Sequence, residues 1–339
     1  MKKVNWKNWL LAGFLIPSLA ACSTSGSSGN NAGDSDYPKK SITVVAPSGA
    51  GGGWDLTARS LTKVLGETKL VDQTMTVENK PGGGGAVYLA EYATQHKKDD
   101  YKLYVNSPPI LINNLKKEGN SPYGYKNTTP LAQLTKDFGA IVVKEDSKYN
   151  SLKELMDAVK KDPKSVTAAG GSAPGSMDHL VAVLPAYKSG VDPKTVKYVS
   201  YDGGGEAIAA LLGGNADYIA TDASAVGEFL KAGKVKVLGV SSTKRLKGEL
   251  AEVPTFKEEG IDADFTIWRG IFGPKEMSDS AKDYWAKTLK DLNDSKEWQA
   301  ELERNGWEAE FKDAEEFASF LEEQEKQVED LLKSLGMNK

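Results

Sequence analysis

The sequence holds a single Cys and two His among 339 residues. A disulfide framework, a CxxC redox pair and a Cys/His zinc site are excluded by that count. Arginine is nearly absent too, with Arg59, Arg245, Arg269 and Arg304 as the whole complement. No apolar run reaches the roughly 20 residues that a permanent membrane-spanning helix needs. The formal net charge is −4 with both signs interspersed, so there is no electrostatic footprint for nucleic acid. What is abundant is glycine: 34 residues, gathered in clusters, which points to sites built from backbone.

The first 22 residues read as an address. Lys2, Lys3 and Lys7 form a positive start, Leu10 to Leu19 an apolar stretch, and Leu19-Ala20-Ala21 lead into the lone Cys22. A positive start, a short apolar run and small residues at the cut describe a secretory signal over 1–21. Residues 22–37 are almost wholly Ser, Gly, Asn and Asp and read as a flexible tether. Removal of the three lysines of the signal takes the formal charge to about −7.

The remaining chain alternates β-branched runs with helical patterns. Strands are expected at 42–46, 75–78, 103–106, 140–144, 166–169, 196–200, 216–220 and 235–240. Helices are expected at 54–66, 84–96, 151–162, 176–189, 204–213 and 223–232. Such alternation implies parallel sheets with right-handed crossovers, an α/β architecture. The last 60 residues read as amphipathic cover helices at 279–294, 296–305 and 313–335.

Four glycine clusters follow strands and open helices: Ser48 to Gly53, Pro81 to Gly85, Gly170 to Ser176, and Tyr201 to Gly205. Helix N-termini offer free N–H groups and the positive end of the dipole, and glycine lets a ligand approach them. In open α/β sheets such turns gather at the carboxyl ends of the strands, where ligands bind. A single glycine-rich turn is more often a tight connection than a site; four at equivalent positions favour a shared cleft. No enzyme motif survives inspection. The stretch Gly227 to Val235 is a P-loop with one residue too many and no Ser/Thr, and Pro174 replaces the second glycine of G-x-S-x-G. His179 beside Ser172 and Ser176 is either a general base for a serine hydrolase or a residue that bonds within its own loop. His96 sits among charges at the surface.

Taken in order, these stretches resemble the extracytoplasmic substrate-binding subunit of tripartite tricarboxylate transporters, the TctC or Bug family. The matching segments are Ile42 to Pro47 through Gly51-Gly52-Gly53-Trp54-Asp55 and Ala58-Arg59; Val77 to Gly85; Gly171-Ser172 to His179-Leu180; Tyr201 to Gly205; Leu211 to Gly214; Val240 to Ser242 with Arg245; Val253-Pro254-Thr255; and Trp268-Arg269-Gly270 to Pro274. Leu19 to Cys22 likewise resembles a bacterial lipobox, which implies cleavage before Cys22 and lipid on its sulfur.

The resemblance implies an α/β, two-lobed, periplasmic-binding-protein-like fold of the type II, Venus-flytrap kind. A mixed sheet lies in each lobe, with a ligand cleft between them. Lobe 1 is expected over 38–138 plus 250–339, and lobe 2 over 139–249. The function implied is capture of a small carboxylate and its delivery to the permease subunits, with no catalytic residue, no metal and no cofactor. The protein is expected to be a monomer, lipid-anchored at the outer face of the cell membrane or in the periplasm. A ligand-reporting partner of a sensor kinase would use the same cleft.

Carried over by position, Ser48, Gly49, Ala50, Gly51, Gly52 and Gly53 form the first carboxylate cradle. Asn79 and Gly83 line it from the second turn, and Asn106 and Ser107 add polar contacts. Ser172, Ala173, Ser176 and His179 meet the ligand from the other lobe, with Tyr201, Gly203, Gly204, Thr221 and Asp222 completing the wall. Asp222 is open to two roles, selecting a ligand amine or capping a helix at 223. Trp54 either shields the cleft or packs in the core. The scarcity of arginine argues against a guanidinium clamp for a tricarboxylate.

Overall fold

The computed structural model describes residues 37–339 apart from Asn120. The signal, Cys22 and the tether up to residue 36 lie outside the described residues. Tyr37, read as the tether's last residue, is fastened to the body. Its hydroxyl donates to the Asp100 carbonyl and receives the Trp285 indole N–H, each at 2.7 Å.

Three parallel strands open the fold: β1 (Ile42–Ala46), flanked by β2 (Met75–Asn79) and β3 (Lys102–Asn106). β1 is buried on both faces, as a central parallel strand must be. Val44 and Ala46 pack toward α1 (Gly53–Glu67), and Val45 packs toward α2 (Ala86–Gln95). A helix unseen in the sequence, α3 (Pro109–Leu115), follows β3 with Pro109 at its first position, where a missing N–H costs nothing.

The element that joins the molecule is β4 (Thr128–Lys144), 17 residues long. Thr128–Phe138 pairs antiparallel with β9 (Thr266–Pro274), and part of it with β10 (Glu308–Lys312). Gly139–Lys144 pairs antiparallel with β7 (Tyr218–Asp222) and β8 (Val235–Val240). β5 (Thr167–Gly170) and β6 (Lys197–Ser200) continue the second sheet in parallel. The parallel sheets implied by alternation alone are therefore corrected, and the mixed sheets implied by the resemblance are what form, with the antiparallel strands at the centre. Pattern reading missed the first half of β4 because Pro130 and two register shifts break its alternation. It missed β9 because Arg269, Gly270 and Gly273 interrupt its apolar run, and β10 because that strand is largely polar.

Tyr88, Tyr92, Tyr104, Phe272 and Phe317 form a core on one face of the first sheet. That core runs without a break into Ile141, Leu155, Leu180 and Val183 beside the second. The helices of this continuous layer include α4 (Leu152–Lys161), α5 (Met177–Lys188) and the front of α10 (Ala314–Ser334). The opposite faces are separate. α8 (Asp279–Asp294) and α9 (Lys296–Arg304) cover one with Trp285, Leu289 and Trp298; α6 (Gly204–Leu212) covers the other with Ala207, Ile208 and Leu211. The helix expected at 223–232 is instead a tight 3-10 turn, Ala223–Ala225, and a short α7 (Gly227–Lys231).

Candidate functional site

The first strand-to-helix loop is held by a carboxylate. Asp55, buried in the first turn of α1, accepts from the Gly51 amide, Arg59 Nε and Asn79 Nδ2, each at 2.9 Å. Burial works against its ionisation, but these hydrogen bonds hold its pKa below the ordinary value. Asn79 also donates to the Ser48 carbonyl at 3.1 Å. Asn79 thus ties the loop down from behind and is not among the lining residues of the cleft. Gly49 and Ala50 are likewise absent from the lining, whereas Ser48, Gly51, Gly52 and Gly53 face it.

Gly52 is the N-cap of α1 and supplies no side-chain cap, and Gly52, Gly53 and Trp54 at this helix start line the cleft. Gly203 does the same for α6. The second glycine cluster takes a conformation reserved for glycine: Gly82 to Gly85 have φ of 142°, 57°, 62° and 88° in succession. Gly82, Gly83 and Gly84 line the cleft. Trp54 serves both roles weighed for it. It packs in the core, lines the cleft, and donates its indole N–H to Ser107 Oγ at 2.9 Å. Ser107 therefore lies behind Trp54, and Asn106 is committed to the Ser107 amide and to Tyr104.

On the far wall, Ser172, Ala173, Ser176, Tyr201, Gly203, Gly204, Thr221 and Asp222 all line the same cleft, whose volume is about 470 Å³. The Gly171–His179 loop is bonded to itself. Ser172 Oγ accepts from the Asp178 amide at 2.9 Å, Asp178 accepts from the Gly171 amide at 2.7 Å, and His179 Nδ1 accepts from the Gly175 amide at 2.8 Å. His179 is buried against the Tyr198 ring, and burial followed by the nearby Lys116 charge pushes its pKa down to about 4. It is not among the lining residues of the cleft. Among the described residues, neither the Ser172 nor the Ser176 hydroxyl bonds to His179, so the general-base arrangement is not formed. Of the two readings of His179, the loop-bonding one is what the structure shows.

The floor of the cleft holds a charged cluster, in which sequence reasoning considered Asp222 and Arg269 singly and passed over Asp137 and Asp178. Arg269, in β9 and 1% exposed, donates from Nη2 to Asp222 Oδ2 at 2.6 Å. Asp222 ends β7 and makes no side-chain cap to the turn after it, so its capping role is replaced by this ion pair. A Cβ on Gly53 would overlap both Arg269 and Asp222, which fixes glycine at the join of the two walls. Two further buried carboxylates sit close by. Asp137, in β4, accepts from Ser224 Oγ at 2.5 Å and the Phe138 amide at 2.7 Å. Burial and the Asp222 charge raise it to about 7, against the pull of Arg269. Asp178 is raised to about 7 by the same two causes in the same order. An arginine inside an otherwise apolar strand was the available signal, because such a charge needs a buried partner. Among the described residues no group of His, Cys, Asp and Glu is arranged to hold a metal.

Residues 58–337 match the model of a family described as the tripartite tricarboxylate transporter family receptor. A protein of the gbd 5′ region of Cupriavidus necator is 28% identical over 313 residues, 89% of this chain and 90% of its own length. Among solved structures, the periplasmic binding protein BugD superposes with a TM-score of 0.79 at 27% identity, covering 89% of this chain and 99% of that one. MatC from Rhodopseudomonas palustris, solved with bound malate, superposes with a TM-score of 0.77 at 23% identity over 87% of this chain and 100% of that one. These neighbours share the two-lobed fold.

Proposed function

This chain belongs to the tripartite tricarboxylate transporter receptor family, whose members bind solutes and are not enzymes, and from that premise we propose that it captures a small organic acid and delivers it to permease subunits of the same transporter type. One observation carries the ligand reading. The uncapped N-termini of α1 and α6 and the glycine turn at 82–85 converge on one cleft beside a buried arginine. Backbone N–H groups and helix dipoles can hold a carboxylate locally even where the global charge repels it. The malate in the MatC structure supports the same chemistry.

We place the moving lobes on either side of two crossings. The first is Phe138–Gly139; the second is Phe265, later than the sequence estimate of 250. Thr255 pairs with Val240, and the Phe256 amide bonds the Val240 carbonyl at 2.9 Å, which keeps 250–264 with the second sheet. Ser241 clasps both crossings, its Oγ receiving the Gly139 amide at 2.8 Å and donating to the Phe265 carbonyl at 2.5 Å. Rotation there would close the cleft over the ligand.

Lipidation of Cys22 would tether a monomeric receptor to the outer face of the membrane. No helix among the described residues is long and apolar enough to cross one. Thermal unfolding of the purified protein against a carboxylate panel tests the binding. A ligand at about 100 times its Kd adds roughly 2.7 kcal/mol, so a specific rise in midpoint is expected. No rise with any carboxylate, on protein stripped of co-purified ligand, overturns the reading. Membrane fractionation tests the anchor, with Cys22→Ala expected in the soluble fraction.

A further inference from the structure

The cleft floor has more buried acid than base. Arg269 from β9 faces Asp222 from β7, while Asp178 in the first turn of α5 and Asp137 in β4 lie within electrostatic reach of both. The oxygens of these acids are not equally employed. Asp137 is bonded to Ser224 and the Phe138 amide, and Asp178 to the Gly171 amide. Asp222 Oδ1 is buried without a hydrogen-bond partner, although the side chain lines the cleft and is only 9% exposed. Arg269 Nε on the other half of the pair is also unpartnered.

A buried carboxylate oxygen without a donor is costly, and it marks where a donor belongs. A ligand of carboxylates alone brings no donor to that oxygen and adds negative charge to an acidic floor. A protonated amine brings a charge-assisted donor and opposes the charge. Resting on the carboxylate reading above, we propose that Asp222 is a specificity-determining residue. Its free Oδ1 accepts a hydrogen bond from a protonated amino group beside the ligand carboxylate, so the preferred ligand is an amino acid and not an unsubstituted organic acid. The ligand carboxylate lies against the helix N-termini while its ammonium group faces Asp222.

The test is titration calorimetry on the purified protein at pH 7 and fixed ionic strength, with ligands that differ at one carbon. The sets are succinate, malate and aspartate; glutarate and glutamate; propionate and alanine. The amino member is expected to bind at least tenfold tighter than its unsubstituted partner in the set of fitting length. Asp222→Asn is expected to weaken the amino member at least tenfold and its unsubstituted partner less than threefold. An unsubstituted or hydroxyl member that binds as tightly as the amino member overturns the proposal and leaves the carboxylate receptor standing. An unchanged ratio in a folded Asp222→Asn protein also overturns it. Binding of no carboxylate in any set removes the receptor reading and this proposal together. The ligand series on the unaltered protein needs no variant to fold.

Discussion

Two populations of helix N-terminus coexist in this molecule. Away from the cleft, α4, α8, α9 and α10 begin with Ser151, Ser278, Ser295 and Asp313, and each side chain accepts a first-turn amide. At the cleft, α1 and α6 begin with Gly52 and Gly203 and carry no side-chain cap, while the first amides of α2, Ala86 and Val87, bond the Gly83 and Gly82 carbonyls of the turn before it. α5 lies between the two, since its N-cap Ser176 is idle while Ser172 takes the Asp178 amide. Capping by Ser or Asp contributes about 1 kcal/mol per helix. The outer helices use that contribution for stability, whereas the cleft helices leave their amides open to a ligand.

The largest blow to this contrast comes from beneath it. Arg269→Ala leaves Asp222 buried and unpaired beside two other acids, and a loss of about 3–5 kcal/mol in unfolding free energy is expected from denaturant titration. The acids set the next effect. Asp137 and Asp178 titrate near 7 when folded, so the folded state holds protons that the unfolded chain releases near 4. Stability should therefore fall as pH rises between about 4 and 7. His179, lowered to about 4, opposes the trend below about 6.5, because the unfolded chain binds the extra proton there. Unfolding midpoints across that range should decline less steeply in Asp178→Asn; an equally steep decline would remove Asp178 as a cause.

Two smaller changes exchange the two kinds of N-terminus. Gly52→Asp gives α1 the cap it lacks, at extended dihedrals of −79° and 165° that Asp adopts without strain. Stability is expected to rise by a few tenths of a kcal/mol. Carboxylate binding, read by calorimetry, should weaken at least tenfold, since the new side chain occupies the anion's place. Ser295→Ala strips the cap of α9 and should cost about 1 kcal/mol of stability with no change in ligand affinity. A fall in affinity equal to that of Gly52→Asp would erase the distinction between the two regions.

The glycine turns were legible in the sequence because their signal is local: a strand, a run of small residues, a helix. The structure brings Ser48, Gly53, Gly83, Ser172 and Gly203 to one cleft as that pattern implied, together with Asp222, which the family resemblance alone had put there. Arg269, Asp137 and Asp178 were not legible as a cluster. Their partners lie on four separate elements, and a charge embedded in Trp268-Arg269-Gly270 says only that some partner exists. Asn79 and His179 failed as lining residues for a related reason. Position beside a loop does not tell whether a side chain faces the ligand or braces the backbone, and both brace it.

The long strand β4 also dictates the order in which the chain can assemble. Its first half stays unpaired until Thr266–Pro274 and Glu308–Lys312 have emerged, and β3 meets β9 across a gap of more than a hundred residues. Pairings so distant in sequence are slow to form and leave apolar edges exposed while they wait. The first sheet therefore stays unfinished until nearly its last strand is made, whereas the second, with all its pairings between Gly139 and Val240, can close earlier.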